Sequence, residues 1–217
     1  TNIGSGAKDG LTLSNTASDA TFGFLSSDVS GSSDSATLTL SNVTSGTATV
    51  ASIETLNLVS SGSANTLTTL TAAAATTVNV SGSQNFNAGT ANSVATTVDA
   101  SELTGNLTFI TDNAKATTVT GGSGNDSITS TGTNATVVTI NGGAGNDTIT
   151  HSANLGTTDV INGGDGTDTL VSTTALLQAL SINTTTAKIT NIEHVKVSDE
   201  YTDATSTIDI VGEIQAS

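Results

Sequence analysis

Apolar and polar residues alternate with a period of two along most of the chain, as in ATLTLSNV at 36–43, TLNLV at 55–59, TTVNV at 76–80 and NLTFI at 106–110. Alternating β-branched and aliphatic residues bounded by Gly, Asn and Ser predict half-buried strands. Helical spacing is nearly missing; STTALLQALS at 172–181 is the best stretch, enough for two turns. The strands also recur in register. The apolar residue before each turn is Leu58, Val78, Val98, Val119, Ile140, Ile161 and Ile182, at steps of 20 or 21. A second series follows the turns at steps of 21 or 22: Phe86, Leu107, Ile128, Ile149, Leu170 and Ile192. Thr77, Thr97, Thr118 and Thr139 run with the first series, as do Asn79, Asp99, Thr120, Asn141, Asn162 and Asn183.

A fixed period that keeps like residues together predicts stacked coils, each one supersecondary unit. The fold class expected is all-β, a right-handed parallel β-helix (β-solenoid) with coils of about 21 residues. A β-sandwich also repeats its strands at short intervals, but nothing holds it to one register over six intervals. Residues 1–50 fit the period less well and read as irregular first coils or the edge of a neighbouring module. Residues 51–198 form the expected β-helix, and 199–217 read as a segment continuing into a longer chain.

Composition narrows the function classes. The high Ser, Thr and Gly content would suit a linker, yet the ordered alternation argues against disorder. The formal charge is −15, from nineteen acids against Lys8, Lys115, Lys188 and Lys196. Nucleic acids and anionic membranes are poor partners, because nothing here would release their counterions. No apolar run reaches the ~20 residues of a membrane span. With no cysteine, disulfides and thiol chemistry are excluded. The chain starts at Thr1 with no signal-like segment and reads as an excised piece.

Three turns carry chemistry: GGSGND at 121–126, GGAGND at 142–147 and GGDGTD at 163–168. They recur at 21 residues, so they are expected to stack. Each reads G-G-x-G-x-D, a calcium-binding β-helix repeat. Glycines permit positive φ and a tight turn whose carbonyls point to a common centre, and the sixth-position Asp adds charge there. Ca²⁺ takes six to eight oxygens, more than one turn supplies and within reach of two. A phosphate cradle would need a following helix and a cation, and both are missing here. A purely structural turn is the remaining alternative.

These turns resemble the repeats-in-toxin (RTX) family of secreted calcium-binding proteins. The resemblance implies carboxylates from Asp126, Asp147 and Asp168, and mainly carbonyls from Gly121, Ser123, Gly142, Ala144, Gly163 and Asp165. It implies at least two Ca²⁺ ions, one between each adjacent pair of turns. The opposite turns, STGTNAT at 130–136 and HSANLGTTD at 151–159, lack the motif, so one ion row is expected rather than the family's two. VDASELTGNL at 98–107 aligns with 119–128 without a gap and places Asp99, Ser101 and Glu102 as candidates for an extra site beneath Asp126. INTTTAKITNI at 182–192 is expected to end the row with Lys188.

Residues 36–198 also resemble the RTX-containing surface-layer proteins of Gram-negative bacteria, through VASIETLNLVSSGSANTLTTLTAAAATTVNVSG at 50–82, TTVDASELTGNLTF at 96–109 and NIEHVKVS at 191–198. That resemblance implies a structural protein of the extracellular cell surface, exported by type I secretion and self-assembling with its neighbours. It also implies outer-membrane polysaccharide as a partner for other parts of the parent chain. An RTX-type adhesin or biofilm-matrix module is the alternative, and ice binding by the Thr ladder a remoter one. No enzyme is expected: His151 and His194 lie about two coils apart without a partner cluster, and a lone His more often has a surface or hydrogen-bonding role.

Overall fold

The computed structural model describes residues 2–3, 10–93, 95–111, 117–131, 137–151, 158–173, 188–198 and 214–215. These residues are strands, turns and bends, with no helix among them. The strands alternate between two parallel sheets. The first holds Leu11–Ser14, Ser35–Ser41, Thr55–Ser61, Thr77–Gly82, Thr97–Leu103, Thr117–Thr120, Val138–Ala144, Val160–Asp165, Lys188–Thr190 and Ile214–Gln215, in chain order. The second holds Asn2–Ile3, Ala20–Phe24, Thr47–Val50, Thr69–Ala72, Phe86–Ser93, Leu107–Thr111, Ser127–Ser130, Thr148–His151, Thr169–Ser172 and His194–Val197, with Asn65–Thr66 joining beside Phe86. The chain is a parallel β-solenoid, and every strand pairs with its equivalent one coil away.

The alternation explains the layering. Strand residues pointing inward meet their own kind along the stack, while outward positions are mostly Thr, Ser and Asn. In the first sheet Ala36, Leu56, Val78, Val98, Val119, Ile140, Ile161 and Ile189 form one buried column. Phe109, Ile128, Ile149 and Leu170 form its counterpart in the second sheet. Both belong to a single core. Two sheets packed about 10 Å apart leave room for Val, Ile, Leu and Ala side chains. The scarcity of aromatics suits so thin an interior.

The register differs from the sequence reading where coils change length. Val78 pairs with Leu56, while Leu58 pairs with Val80. Ile128 pairs with Phe109 rather than Leu107, because the turn after Val98 is longer than the one after Val119. Ile161 pairs with Ile189 and Leu170 with Val195, so Ile189 and Val195 continue the two series and Ile192 does not. Residues 174–187 lie outside the described residues, and with them most of the 172–181 segment, Ile182 and Asn183. Residues 11–50 join the same two sheets: Leu11 pairs with Leu38 and Leu38 with Leu58, at intervals of 27 and then 20 residues. The irregularity there is one of loop length.

Ile140 is fully buried between Val119 and Ile161. Ile140→Ala should therefore lower unfolding free energy by about 2–5 kcal/mol in urea denaturation, through lost burial and a cavity that the ladder prevents from collapsing. Thr139→Ala, on the outward face of the same strand, should change it by under about 1 kcal/mol.

Candidate metal centre

The three glycine turns link the first sheet to the second at one edge of the solenoid. In the second and third coils the strands run into the turn itself, pairing Gly143 with Gly164 and Ala144 with Asp165. Gly143 and Gly164 both have φ 106°, which only glycine adopts without strain. The first turn differs: its glycines keep φ outside the positive region. The glycines are needed there for space. A Cβ on Gly121 would meet the Gly142 carbonyl oxygen and Asp126 Oδ2.

Carbonyls of one coil face the glycines of the next along the stack. The Gly142 oxygen faces Gly121 and the Gly163 oxygen faces Gly142, while those of Gly122 and Gly143 face the opposite way, toward Gly143 and Gly164. Several are occupied by the ladder. The Gly122 carbonyl accepts Ala144 N–H at 2.9 Å and the Asp165 carbonyl accepts Gly145 N–H at 2.8 Å. The side chains of Ser123 and Asp165 are exposed.

The sixth-position aspartates form a buried column. Asp126, Asp147 and Asp168 are 2%, 1% and 0% exposed. Each sends Oδ1 back one coil to accept a backbone N–H at 2.7 Å: Asp126 from Leu107, Asp147 from Asp126 and Asp168 from Asp147. Asp126 Oδ2 accepts Gly122 N–H at 2.6 Å. The Oδ2 atoms of Asp147 and Asp168 are buried without any hydrogen-bond partner. Burial pushes all three carboxyls above the ordinary 3.8, against the pull of the donated N–H groups. Asp147 reaches about 7, raised further by the charges of Asp126 and Asp168. Asp168 is raised in addition by Glu193 and Asp165.

Two orphaned carboxylate oxygens in a stack of three acids fit a hard cation, which takes oxygen ligands. Among the described residues no three His, Cys, Asp or Glu side chains cluster around a common point. Any ion here would draw on carboxylates and backbone carbonyls together. At each first glycine, a carboxylate oxygen of one coil and a carbonyl oxygen of the next lie over the position a Cβ would fill: Asp126 Oδ2 with Gly142 O, and Asp147 Oδ2 with Gly163 O.

Asp99, Ser101 and Glu102 do not lie beneath Asp126. The turn that carries them is longer, so Asp126 stacks over Leu107 and Ser123 over Leu103. Asp99 pairs with Thr120 and Asn79, as the polar series in the sequence has it, in the strand before the turn. With Ser101 and Glu102 it lines a separate cleft of about 390 Å³ beside Asn57, Asn79 and Ser81. The expected end of the row also changes. Lys188 pairs with Val160 in a strand, and the place over Asp168 falls to Glu193, whose Oε2 accepts Asp168 N–H at 2.7 Å.

Two features carry no signal that the sequence reading used. Beside the aspartates runs an exposed asparagine column, in which Asn85, Asn106, Asn125 and Asn146 each accept, through Oδ1, a backbone N–H of the following coil at 2.8–2.9 Å. The motif's fifth position and the unequal steps back to Asn106 and Asn85 contain it. His151 is not a surface or hydrogen-bonding residue: it is 1% exposed, its ring nitrogens have no hydrogen-bond partner, and Nε2 lies 3.8 Å from Asp159 Oδ2. His194 is exposed in another coil, and the two histidines form no pair.

Comparison with known families matches the RTX calcium-binding nonapeptide repeat (4 copies) to residues 113–134, 138–153 and 156–172. The match brackets all three glycine turns and supports an RTX-type β-helix segment there. Such repeats bind calcium and are typical of secreted, extracellular proteins. No curated protein and no solved structure shows a significant match.

The column makes stability depend on pH when no metal is supplied. An acid whose pKa is higher folded than unfolded makes the folded chain bind more protons between the two values, so stability falls as pH rises through that window. For Asp147 the window runs from 3.8 to about 7. In chelator the melting temperature should be higher at pH 4.5 than at pH 7.5, and Asp147→Asn should narrow that gap. A gap of unchanged size in the variant would show that other groups produce it.

Proposed function

We propose that this chain is a calcium-dependent structural segment of an extracellular bacterial surface-layer protein, in which Ca²⁺ joins consecutive coils along the glycine–aspartate edge. The observation that carries the reading is the column of three buried carboxylates, two with an unpartnered oxygen, inside the region that matches calcium-binding repeats. Asp126, Asp147 and Asp168 supply the charged ligands. Gly121, Ser123, Gly142, Ala144, Gly163 and Asp165 are the candidate carbonyl donors, with the Gly142 and Gly163 carbonyls best placed beside a carboxylate.

Bound Ca²⁺ supplies positive charge to a stack of carboxylates that otherwise repel one another. The chain's own part is to hold those carboxylates in register, through Oδ1 to the N–H groups of the coil before, and to keep a glycine opposite each one. Metal that binds the folded coils and not the unfolded chain adds its binding free energy to folding. Extracellular sites bind Ca²⁺ at about 10⁻⁴–10⁻³ M, above cytosolic levels. A segment of this kind stays loose inside the cell and tightens outside it. The surface-layer assignment draws on the resemblance of residues 36–198 and on a polar, acidic exterior suited to repeated contacts between tiles.

Calcium at about one hundred times its dissociation constant should raise stability by about 2.7 kcal/mol for each independent site. The double change Asp126→Asn with Asp147→Asn should remove the part of that gain due to the sites between the three glycine turns, and equal melting of the wild type with and without EGTA would overturn the calcium reading. Electron microscopy of the same protein tests assembly. Sheets or filaments that form only in millimolar Ca²⁺ support the surface layer. Discrete particles in both conditions shift the choice to the adhesin or matrix module.

A further inference from the structure

We infer that the calcium row extends one station beyond the three motifs, to a site between Asp168 and the turn Asn191–Glu193, with Glu193 as its terminal carboxylate. This inference rests on the calcium reading above and adds a turn that contains neither glycine nor the repeat motif. Three observations place it. Glu193 Oε2 accepts Asp168 N–H at 2.7 Å, the same bond at the same length by which Asp168 Oδ1 accepts Asp147 N–H and Asp147 Oδ1 accepts Asp126 N–H. The Asn191 carbonyl oxygen and Asp168 Oδ2 lie together over Gly163, as the Gly163 carbonyl and Asp147 Oδ2 do over Gly142. Asp168 is fully buried, and that Oδ2 has no hydrogen-bond partner.

The substitution is physically coherent. Thr190 pairs with Asn162, so Asn191 takes the station of Gly163 one coil later. Asn191 has φ 53°, a left-handed conformation that asparagine tolerates better than most residues. The next two residues close the turn, with Ile192 buried and the N–H groups of Glu193 and His194 both donated to the Asp168 carbonyl. Three residues thus replace the six of GGDGTD. Glutamate has one more methylene than aspartate, which gives the carboxylate added reach across the shortened turn. Without a cation, Glu193 adds a negative charge beside a buried acid that it already raises. With a cation, the two carboxylates and the Asn191 carbonyl form the same kind of oxygen set as the stations before.

The test is calcium binding by the full 217-residue chain, titrated with CaCl₂ in a calorimeter. Glu193→Gln keeps the size of the side chain and an oxygen able to accept Asp168 N–H, and removes the charge. Wild type should bind one ion more than this variant, or bind its weakest ion at least tenfold more tightly. Equal number and equal affinity in the two proteins would overturn the terminal site while leaving the others standing. A wild type that takes up no calcium would overturn the calcium reading itself, and this site with it. If the variant fails to fold, the wild-type chain still decides by carboxyl ¹³C NMR. The Glu193 and Asp168 resonances should move together on adding Ca²⁺, and a stationary Glu193 beside a moving Asp147 would refute the inference.

Discussion

Parallel stacking in register makes every residue meet its own equivalent one coil away, and each feature of this molecule follows from that rule. Like meeting like is favourable for isoleucine, valine and leucine, whose columns become a continuous interior. It is also favourable for asparagine, which carries both donor and acceptor: Asn79 donates to Asn57 and Asn162 to Asn141. For aspartate the same rule is adverse, since identical charges are placed about one strand spacing, ~4.8 Å, apart. A solenoid with an aspartate column therefore needs a compensating partner at that column.

The thin core sets where specificity comes from. With few large side chains to interlock, the register of this stack depends on residues with one good position, namely the glycines that admit a neighbouring carbonyl and the polar columns that bridge coils. At Gly142 a side chain would displace both the Asp147 carboxylate and the Gly163 carbonyl. Slipping the third coil by one residue would leave Asp147 N–H without its acceptor and turn Ile161 out of the core.

The same rule explains what the sequence disclosed. Between Val119 and Leu170 the coils have equal length, so a period counted along the chain equals the period in space, and fold, motif spacing and the three aspartates were all legible there. Outside that stretch the count holds in places, as for Val78, Val98 and Val119 or Phe86 and Leu107, and fails where a turn absorbs or releases residues without disturbing the sheets. The turn after Val98 is longer than its successor, which moved Asp99 and Glu102 away from Asp126 and moved Phe109, not Leu107, beneath Ile128. The turn 191–193 is shorter than GGDGTD, which hid the equivalence of Glu193 with Asp168. The burial of His151 was legible in the alternation, since it stands two residues after the inward-facing Ile149 in the strand Thr148–His151.

Adjacent positions of the glycine turns give the clearest argument about purpose. Asn125 and Asn146 accept a neighbouring coil's N–H through an amide oxygen while exposed to water. Asp126, Asp147 and Asp168 do the same task while buried, and do it with a charge. At Asp147 and Asp168 a neutral amide would serve the Oδ1 bond at less electrostatic cost, since that bond needs an oxygen and no ionisation, whereas both oxygens of Asp126 accept N–H groups. Burial preferences alone would place the amide inside and the acid outside, and this chain inverts them. The charge is thus surplus to the structural task of the Oδ1 atoms and leaves Oδ2 of Asp147 and Asp168 without a partner. What a carboxylate offers there, and an amide does not, is strong attraction for a proton or a metal ion. On the calcium reading proposed above, the inversion would tie the cohesion of this edge to the surrounding solution, with acid or a divalent cation expected to close the stack and neutral, metal-free water to loosen it.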